Sequence, residues 1–138
     1  SMLARVLIRL AAYTGEARYE EAATGVLRLL TNAMGEYPQA FGEALGAVEL
    51  LVGGMRELAL VGDPDADAML SMRRIVSDVF RPNLIVAHTA DRVSGEHPIP
   101  LLSFRSMRDG QPTAYVCRNF VCSLPATTPD ALRKQLDG

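Results

Sequence analysis

Both cysteines of this chain lie in one short stretch, AYVCRNFVCSLPATTPDALRKQL, residues 114–136. A dithiol that exchanges electrons across one helical turn has the spacing Cys-x-x-Cys, whereas four residues separate Cys117 from Cys122. Residues five apart in one unbroken strand point to opposite faces, so only a turn near Asn119 could bring the two sulfurs together. Because no secretion signal is recognisable, we expect buried free thiols, with a disulfide or a metal site as the alternatives.

His88 and His97 would complete a set of four zinc ligands with the two cysteines. Structural zinc sites place their ligands at short, characteristic spacings, and the nine-residue separation of the histidines matches none of them. We therefore expect each histidine to be a surface or loop residue. The sequence predicts neither a metal nor any other cofactor.

Glutamates in the N-terminal half suggest a different chemistry, because glycosidases use two carboxylates as acid and base. The candidates are Glu20, Glu21, Glu36, Glu43 and Glu49. Glu20, Glu21 and Glu43 lie off the apolar stripes of their helices, as ordinary solvated residues do. We therefore assign no catalytic carboxylate, and no nucleophile with a neighbouring base is visible.

The segment VGDPDAD, residues 61–67, stands where an apolar run gives way to a helix, a place where many α/β proteins bind phosphate. It lacks the repeated glycines that let a backbone approach a pyrophosphate, and Asp63 would repel an anion. We expect Asp63 to cap a helix that Pro64 begins.

Three amphipathic helices are predicted in the part of the chain that carries these glutamates. The first helix is expected to end at Gly15, the third to begin at Pro38 and to end at Gly53 and Gly54, and the short first link favours antiparallel neighbours. The expected buried stripes are Leu3, Val6, Leu7 and Leu10 in the first helix, Tyr19, Ala22, Ala23, Val26, Leu27 and Leu30 in the second, and Phe41, Leu45, Val48 and Val52 in the third.

A strand, a crossover helix and a second strand are predicted next. Apolar runs at 58–61 and 83–89 are joined by about twenty residues, which is typical of a right-handed parallel βαβ unit. The expected buried stripe of the crossover helix is Met69, Met72, Val76, Val79 and Phe80, with Arg81 and Pro82 closing the helix.

The C-terminal part is predicted to hold a loop, a strand and a last helix. Residues 88–100 read as a loop, and LLSF at 101–104 as a short strand or an irregular core segment. Asp109-Gly110 signals a turn and TAYVC at 113–117 a third strand. The last helix is expected to begin at Thr128, Pro129 and Asp130 and to bury Leu132 and Leu136.

Together these elements predict an α+β fold: antiparallel helical hairpins over residues 1–54, then a small βαβ-containing sheet with a C-terminal helix over residues 55–138. The composition, 49% hydrophobic and 22% charged, is that of a soluble globular domain. A net charge of −2, with arginines scattered among acids, disfavours nucleic acid as a partner. No apolar run approaches the ~20 residues that a membrane span needs, so we expect a cytoplasmic protein.

Residues 112–117, followed by Asn119, Cys122, Pro125 and the Thr-Pro-Asp helix start, resemble the C-terminal end of the spermatogenesis-associated, thioredoxin-domain-containing protein family. LIRLAAYTGEARYEEAA, ELALVGDPD and RPNLIVA are similar to a helical hairpin and two late strands of that family. Tyr115, Cys117, Asn119 and Cys122 are the candidate signature residues. The resemblance implies parents with a thioredoxin-like domain and a helical toroid similar to six-hairpin glycosidases and acylglucosamine epimerases.

The chain is too short for those domains, so the resemblance implies a C-terminal fragment, with Ser1-Met2 as a tag remnant or as the native start of a hairpin. Its function would be mainly structural, within a parent of redox or carbohydrate-related function, and we do not expect the fragment alone to catalyse a reaction. The alternatives are a carbohydrate-active site, built from carboxylates of the first hairpins and residues 115–122, and a metal-binding module. Uncovered apolar stripes predict a homo-oligomer, with the rest of the parent chain as the other partner.

Overall fold

The computed structural model describes residues 1–90 and 95–138. In chain order the elements are α1 (Met2–Thr14), α2 (Ala17–Glu36), a 3₁₀ helix (Pro38–Phe41), α3 (Gly42–Gly53), β1 (Arg56–Val61), α4 (Asp67–Asp78), β2 (Leu84–Thr89), a second 3₁₀ helix (Pro100–Leu102), β3 (Thr113–Arg118), β4 (Val121–Cys122) and α5 (Pro129–Asp137). The predicted α+β class is confirmed. None of the helices in the described ranges has the length and apolarity to cross a membrane.

Helices α1, α2 and α3 pack together through small side chains. Ala4, Ala23, Ala44 and Ala47 are at most 1% exposed, because alanine lets the backbones of neighbouring helices approach closely. Larger residues fill the space around this seam. The buried members of the helical cluster are Ala4, Ile8, Ala23, Leu27, Met34, Ala44, Ala47 and Leu50.

The predicted stripe of α1 is wrong by about one residue. Leu3, Val6 and Leu10 are 57%, 47% and 38% exposed, and of the predicted stripe only Leu7 is half-buried, while Ala4 and Ile8 are buried. A pattern that follows the largest apolar side chains selects the wrong face, because the closest helix contacts are made by alanine.

The stripe of α3 is wrong for the same reason. Leu45 and Val52 are exposed, whereas Phe41 and Val48 are half-buried against the helical cluster. Pro38 begins a 3₁₀ helix rather than α3. In α2 the prediction holds for Ala23 and Leu27, which are buried, with Tyr19, Val26 and Leu30 half-buried, but not for the exposed Ala22.

The four strands form one mixed sheet in the order β2-β1-β3-β4. β1 pairs with β2 in parallel, from Arg56 opposite Leu84 to Val61 opposite Thr89, and α4 is the crossover between them. This pairing confirms the predicted βαβ unit. β3, also predicted, pairs antiparallel with β1 and continues into β4.

Both faces of the sheet are covered. On one face Leu58 and Leu60 pack with Met69 and Met72 of α4 and Leu132 of α5. The other face packs against the end of α1 and the second 3₁₀ helix, and its buried members are Ala12, Ala59, Val61, Ile85, Ala87, Leu101, Leu102, Tyr115 and Cys117.

Helix α1 belongs to both the helical cluster and the sheet. Near its end, Tyr13 Oη donates a hydrogen bond to Val86 O at 3.0 Å, and Arg9 Nη2 donates to Pro82 O at 2.8 Å. The division into regions 1–54 and 55–138 stays a prediction: α3 ends at Gly53 and β1 begins at Arg56, but α1 packs on both sides of that boundary.

The start of α4 differs from the prediction. Asp63 does not cap the helix, because its Oδ1 accepts a hydrogen bond from the Asp65 N–H at 2.9 Å and so closes a turn. The helix begins only at Asp67, after Ala66.

The end of α4 is partly as predicted. Val79 and Phe80 lie beyond its last residue and are exposed, so they are wrong as core residues. Arg81 does close the helix, since its Nη1 donates to Ile75 O at 2.8 Å and to Val76 O at 3.1 Å.

The predicted loop 88–100 is shorter at both ends. His88 and Thr89 belong to β2, Pro100 begins a 3₁₀ helix, and residues 91–94 lie outside the described residues. The neighbouring LLSF is neither a strand nor wholly irregular, because its two leucines lie in that 3₁₀ helix and are fully buried.

Two local predictions near the C-terminus are confirmed. Asp109 and Gly110 have φ of 53° and 68° and form the turn between Arg108 and Gln111. Thr128 caps α5, its Oγ1 accepting a hydrogen bond from the Ala131 N–H at 3.2 Å.

Candidate functional site

The signature segment is a tight β-hairpin. Asn119 and Phe120 both have positive φ, 49° and 63°, as the two central residues of a type I′ turn require. Asparagine adopts this conformation readily, whereas phenylalanine does so rarely. The turn pairs Arg118 with Val121, and the next pair of the ladder is Cys117 with Cys122.

Cys117 and Cys122 are joined in a disulfide, with Cα atoms 3.9 Å apart. The expectation of free thiols is therefore wrong, while a turn near Asn119 does bring the sulfurs together. The spacing alone permitted several geometries, and the two-residue turn selects the one in which the cysteines face each other across the ladder.

The Cys₂His₂ alternative fails on both pairs of ligands. The disulfide removes the cysteines, His88 Nε2 lies 2.8 Å from Gly62 O, and His97 Nδ1 accepts a hydrogen bond from the Ile99 N–H. His88 lies on β2 and is not the loop residue expected, whereas His97 lies outside any helix or strand. Within residues 1–90 and 95–138 no group of three or more His, Cys, Asp or Glu could hold a metal ion.

Tyr115 is a packing residue on β3. Its ring is buried in the cluster that includes Ala59 and Val61, and its hydroxyl donates a hydrogen bond to Ser106 O. The Arg105 guanidinium lies 5.4 Å from the centre of the ring, a cation–π distance. Both the ring and the hydroxyl of Tyr115 are therefore engaged within the fold.

A cavity of about 390 Å³ opens where the helices meet the sheet, and we call it the Glu57 cavity. Its wall is formed by the end of α1, the start of α2, the end of α3, the start of β1 and the β3–β4 turn. The residues lining it are Ile8, Ala11, Ala12, Gly15, Glu16, Ala17, Glu20, Leu50, Leu51, Gly54, Met55, Glu57, Asn119 and Phe120.

Glu57 is the second residue of β1, and it is buried, with 2% of its surface exposed. Burial raises its pKa, while hydrogen bonds from the backbone amides of Phe120 and Asn119 and the nearby Arg118 charge oppose that rise. Oε2 of this carboxyl group has no hydrogen-bond partner among the described residues.

Sequence reasoning missed Glu57. The signal available was its place in RELALV, where it alternates with Ala59 and Val61 and therefore shares their core face. An acid at the edge of an apolar run is usually solvent-exposed, so this signal is weak without the neighbouring elements.

The structure separates the glutamates proposed from the sequence. Glu20 lines the Glu57 cavity, and Glu43 is ion-paired with Arg5 at 2.9 Å. Glu21 lies on a neighbouring groove of α2 that Glu20 also lines, and Glu36 and Glu49 are exposed away from the cavity. Carboxylates from α2 and β1, rather than from two hairpin helices, therefore converge with Asn119, and Tyr115 is not among them.

Comparison with known proteins identifies relatives over the whole chain. Spermatogenesis-associated protein 20 from Homo sapiens is 30% identical over 138 residues, and those from Rattus norvegicus and Mus musculus are 28% and 27% identical. Each match covers 99% of this chain and 18% of the relative, so the chain spans less than a fifth of their length. No family model and no solved structure matches. The similarity extends from end to end, and the chain belongs to the spermatogenesis-associated protein family.

Proposed function

We propose that this chain is a structural segment of a longer protein, and that further helices of that protein cover the exposed side of α1. We call Leu3, Val6 and Leu10 the α1 outer face. They recur at helical spacing on one side of α1 and are all exposed. This face is the observation on which the proposal depends.

The charged residues of α1 support it. Arg5 is ion-paired with Glu43 of α3, and Arg9 donates to Pro82 O, so both arginines are engaged with neighbouring elements. The outer face is left with large apolar side chains. A helix facing water normally shows the opposite arrangement, with charges outward and apolar residues inward.

The relatives have many further residues that could form such a cover. They are more than five times as long as the matched segment, which is 18% of each of them. As the family resemblance implies, the longer protein would hold a thioredoxin-like domain and a helical toroid, in the cytoplasm, and would act in redox or carbohydrate chemistry. In that setting α1, α2 and α3 complete the toroid and the sheet closes its end.

A carbohydrate-active site on this chain is the less favoured interpretation. It was expected to combine hairpin carboxylates with the signature segment, but Tyr115 is fully engaged in packing and Glu43 in an ion pair. We extend the proposal to neither that site nor a metal module.

Thiol labelling tests the proposal. Val6→Cys and Leu10→Cys are placed singly in the 138-residue chain and in the full-length gene product. Labelling of each introduced cysteine is followed by mass spectrometry of its own peptide, with Cys117 and Cys122 held in their disulfide. We expect maleimide to label both positions at least about tenfold more slowly in the full-length protein, because buried thiols react only after local opening. Arg73→Cys, on the exposed side of α4, is the control and should react equally in both. Equal labelling of Val6→Cys in the two proteins would show that α1 stays uncovered.

A further inference from the structure

We propose that the Glu57 cavity binds an organic cation, a primary ammonium carried on a short apolar chain, with Glu57 as the residue that contacts the charge. This site is independent of the proposed structural role of the α1 outer face. The cavity volume of about 390 Å³ lies within the range of small-molecule sites in proteins.

The charge of the lining selects a cation. Glu16, Glu20 and Glu57 supply three carboxyl groups, and no Lys, Arg or His lines the cavity. Glu16 is ion-paired with Arg18, so Glu20 and Glu57 are the main sources of negative potential. Arg118 does not line the cavity, but its nearby charge offsets part of that of Glu57. An anion would therefore be repelled from this space.

Glu57 has an unused acceptor. A carboxylate offers about four lone-pair positions, yet Oε2 is buried and has no partner in the described part of the chain. The backbone amides of Phe120 and Asn119 lower the pKa of this carboxyl group, so the hairpin turn lies beside it. An ammonium group in the cavity would give this carboxylate a charge-assisted hydrogen bond, which is stronger than a neutral one.

The remaining walls favour an organic cation over a metal ion. Ile8, Leu50, Leu51 and Met55 line the cavity with apolar surface that suits an alkyl chain. A hard metal ion takes six or more oxygen ligands, and the described residues bring no three His, Cys, Asp or Glu side chains into a ligating group.

The ring of Phe120 closes the cavity at the turn between α1 and α2. Its Cε2 atom lies 3.2 Å from the position that a Cβ would take on Gly15, whose φ is +71°. Glycine is required here both by the left-handed backbone and by the close ring.

The test is an NMR titration of the ¹⁵N-labelled chain with n-butylammonium and, in parallel, with butan-1-ol, which has the same alkyl chain without the charge. We expect n-butylammonium to shift the amide signals of Asn119 and Phe120 saturably, with a dissociation constant at least about tenfold lower than that of butan-1-ol. Glu57→Gln should remove this preference. Glu36→Gln removes a carboxylate that does not line the cavity, and it should bind like the original chain.

Equal affinity for the amine and the alcohol, shifts confined to residues outside the cavity, or unchanged binding to Glu57→Gln would each overturn the proposal. The Glu57→Gln amide spectrum establishes whether that variant is folded. Should that variant not fold, Glu20→Gln takes its place. We expect Glu20→Gln to bind n-butylammonium about two- to threefold more weakly. Unchanged binding, together with equal affinity for the amine and the alcohol, would reject the site.

Discussion

Glu57 of β1 lies directly opposite Cys117 of β3. Residues that face each other in an antiparallel ladder share one side of the sheet, so the buried carboxyl group and the disulfide are cross-strand neighbours. The disulfide joins Cys117 to Cys122 across the turn whose backbone amides lower the pKa of Glu57. The covalent link and the acidic cavity are thus parts of one local structure.

Breaking the disulfide should destabilise the fold. Closing so short a loop removes entropy from the unfolded chain worth about 2 kcal/mol, so Cys117→Ala/Cys122→Ala should lower the free energy of unfolding in urea by about that amount. The amide signals of Asn119 and Phe120 should also move. Dithiothreitol should lower the stability of the original chain but leave that of the double variant unchanged, and an equal response of both would contradict the assignment.

Ionisation of Glu57 should weaken the fold as the pH rises. Its pKa is raised in the folded state by burial, so between the ordinary glutamate value and this raised pKa the folded protein binds more protons than the unfolded chain. The free energy of unfolding should therefore fall through that window and stay lower above it. The nearby Arg118 charge opposes this rise in the pKa of Glu57. Glu16 and Glu20 are the other carboxyl groups that line the cavity.

Comparison with Glu57→Gln isolates this contribution. Urea unfolding of both proteins from about pH 4 to about pH 8 should show a stability difference that grows in favour of the variant as the pH rises. A difference that does not change with pH would mean that Glu57 keeps its ordinary pKa in the folded state.

Arg81 should be one of the most sensitive charged residues. Its side chain is only 5% exposed, it donates to two carbonyls at the end of α4, and its Nη2 lies 2.7 Å from Asp137 Oδ1 of α5. Arg81→Ala leaves these groups without their donor, and we expect a loss of about 2 to 4 kcal/mol in the free energy of unfolding. The exposed Arg73→Ala serves as the control and should change it by less than about 0.5 kcal/mol.

Without its cover, the α1 outer face should pair with a second copy of the chain. We expect sedimentation velocity to show a mass above that of the monomer at high protein concentration, because exposed apolar surface of this kind associates in water. Val6→Glu should restore the monomer, whereas Leu124→Glu, at an apolar side chain that is 84% exposed near the C-terminus, should not. A monomer mass at every concentration of the original chain would contradict this expectation.

Periodicity was enough to predict the helices and the parallel β1–β2 pair, since both depend on patterns within short segments. It failed for the buried faces of α1 and α3. There, burial is decided by how closely two helices approach, and Ala4 and Ala47 occupy the contact while Leu3 and Val52 remain outside. Asp63 was misassigned because a turn and a helix cap use the same side-chain oxygen.

The candidate site was predicted only in part. Asn119 was named from the sequence and does line the cavity, but Glu57 was not named, because its surroundings come from α1, α3 and the hairpin, which are distant in sequence. The disulfide depended on the backbone conformation of the turn, with Phe120 at a positive φ that its residue type does not favour.

Helix α1 carries Ala4 in the helical seam and Ala12 against the sheet, along a single rod of 13 residues. A larger side chain at Ala4 would therefore displace α1, and with it Tyr13, which is hydrogen-bonded to Val86 of β2. The packing distances of the helical cluster and of the sheet core therefore cannot be changed independently of each other. Directed evolution of either one must search for changes that the other tolerates at the same time.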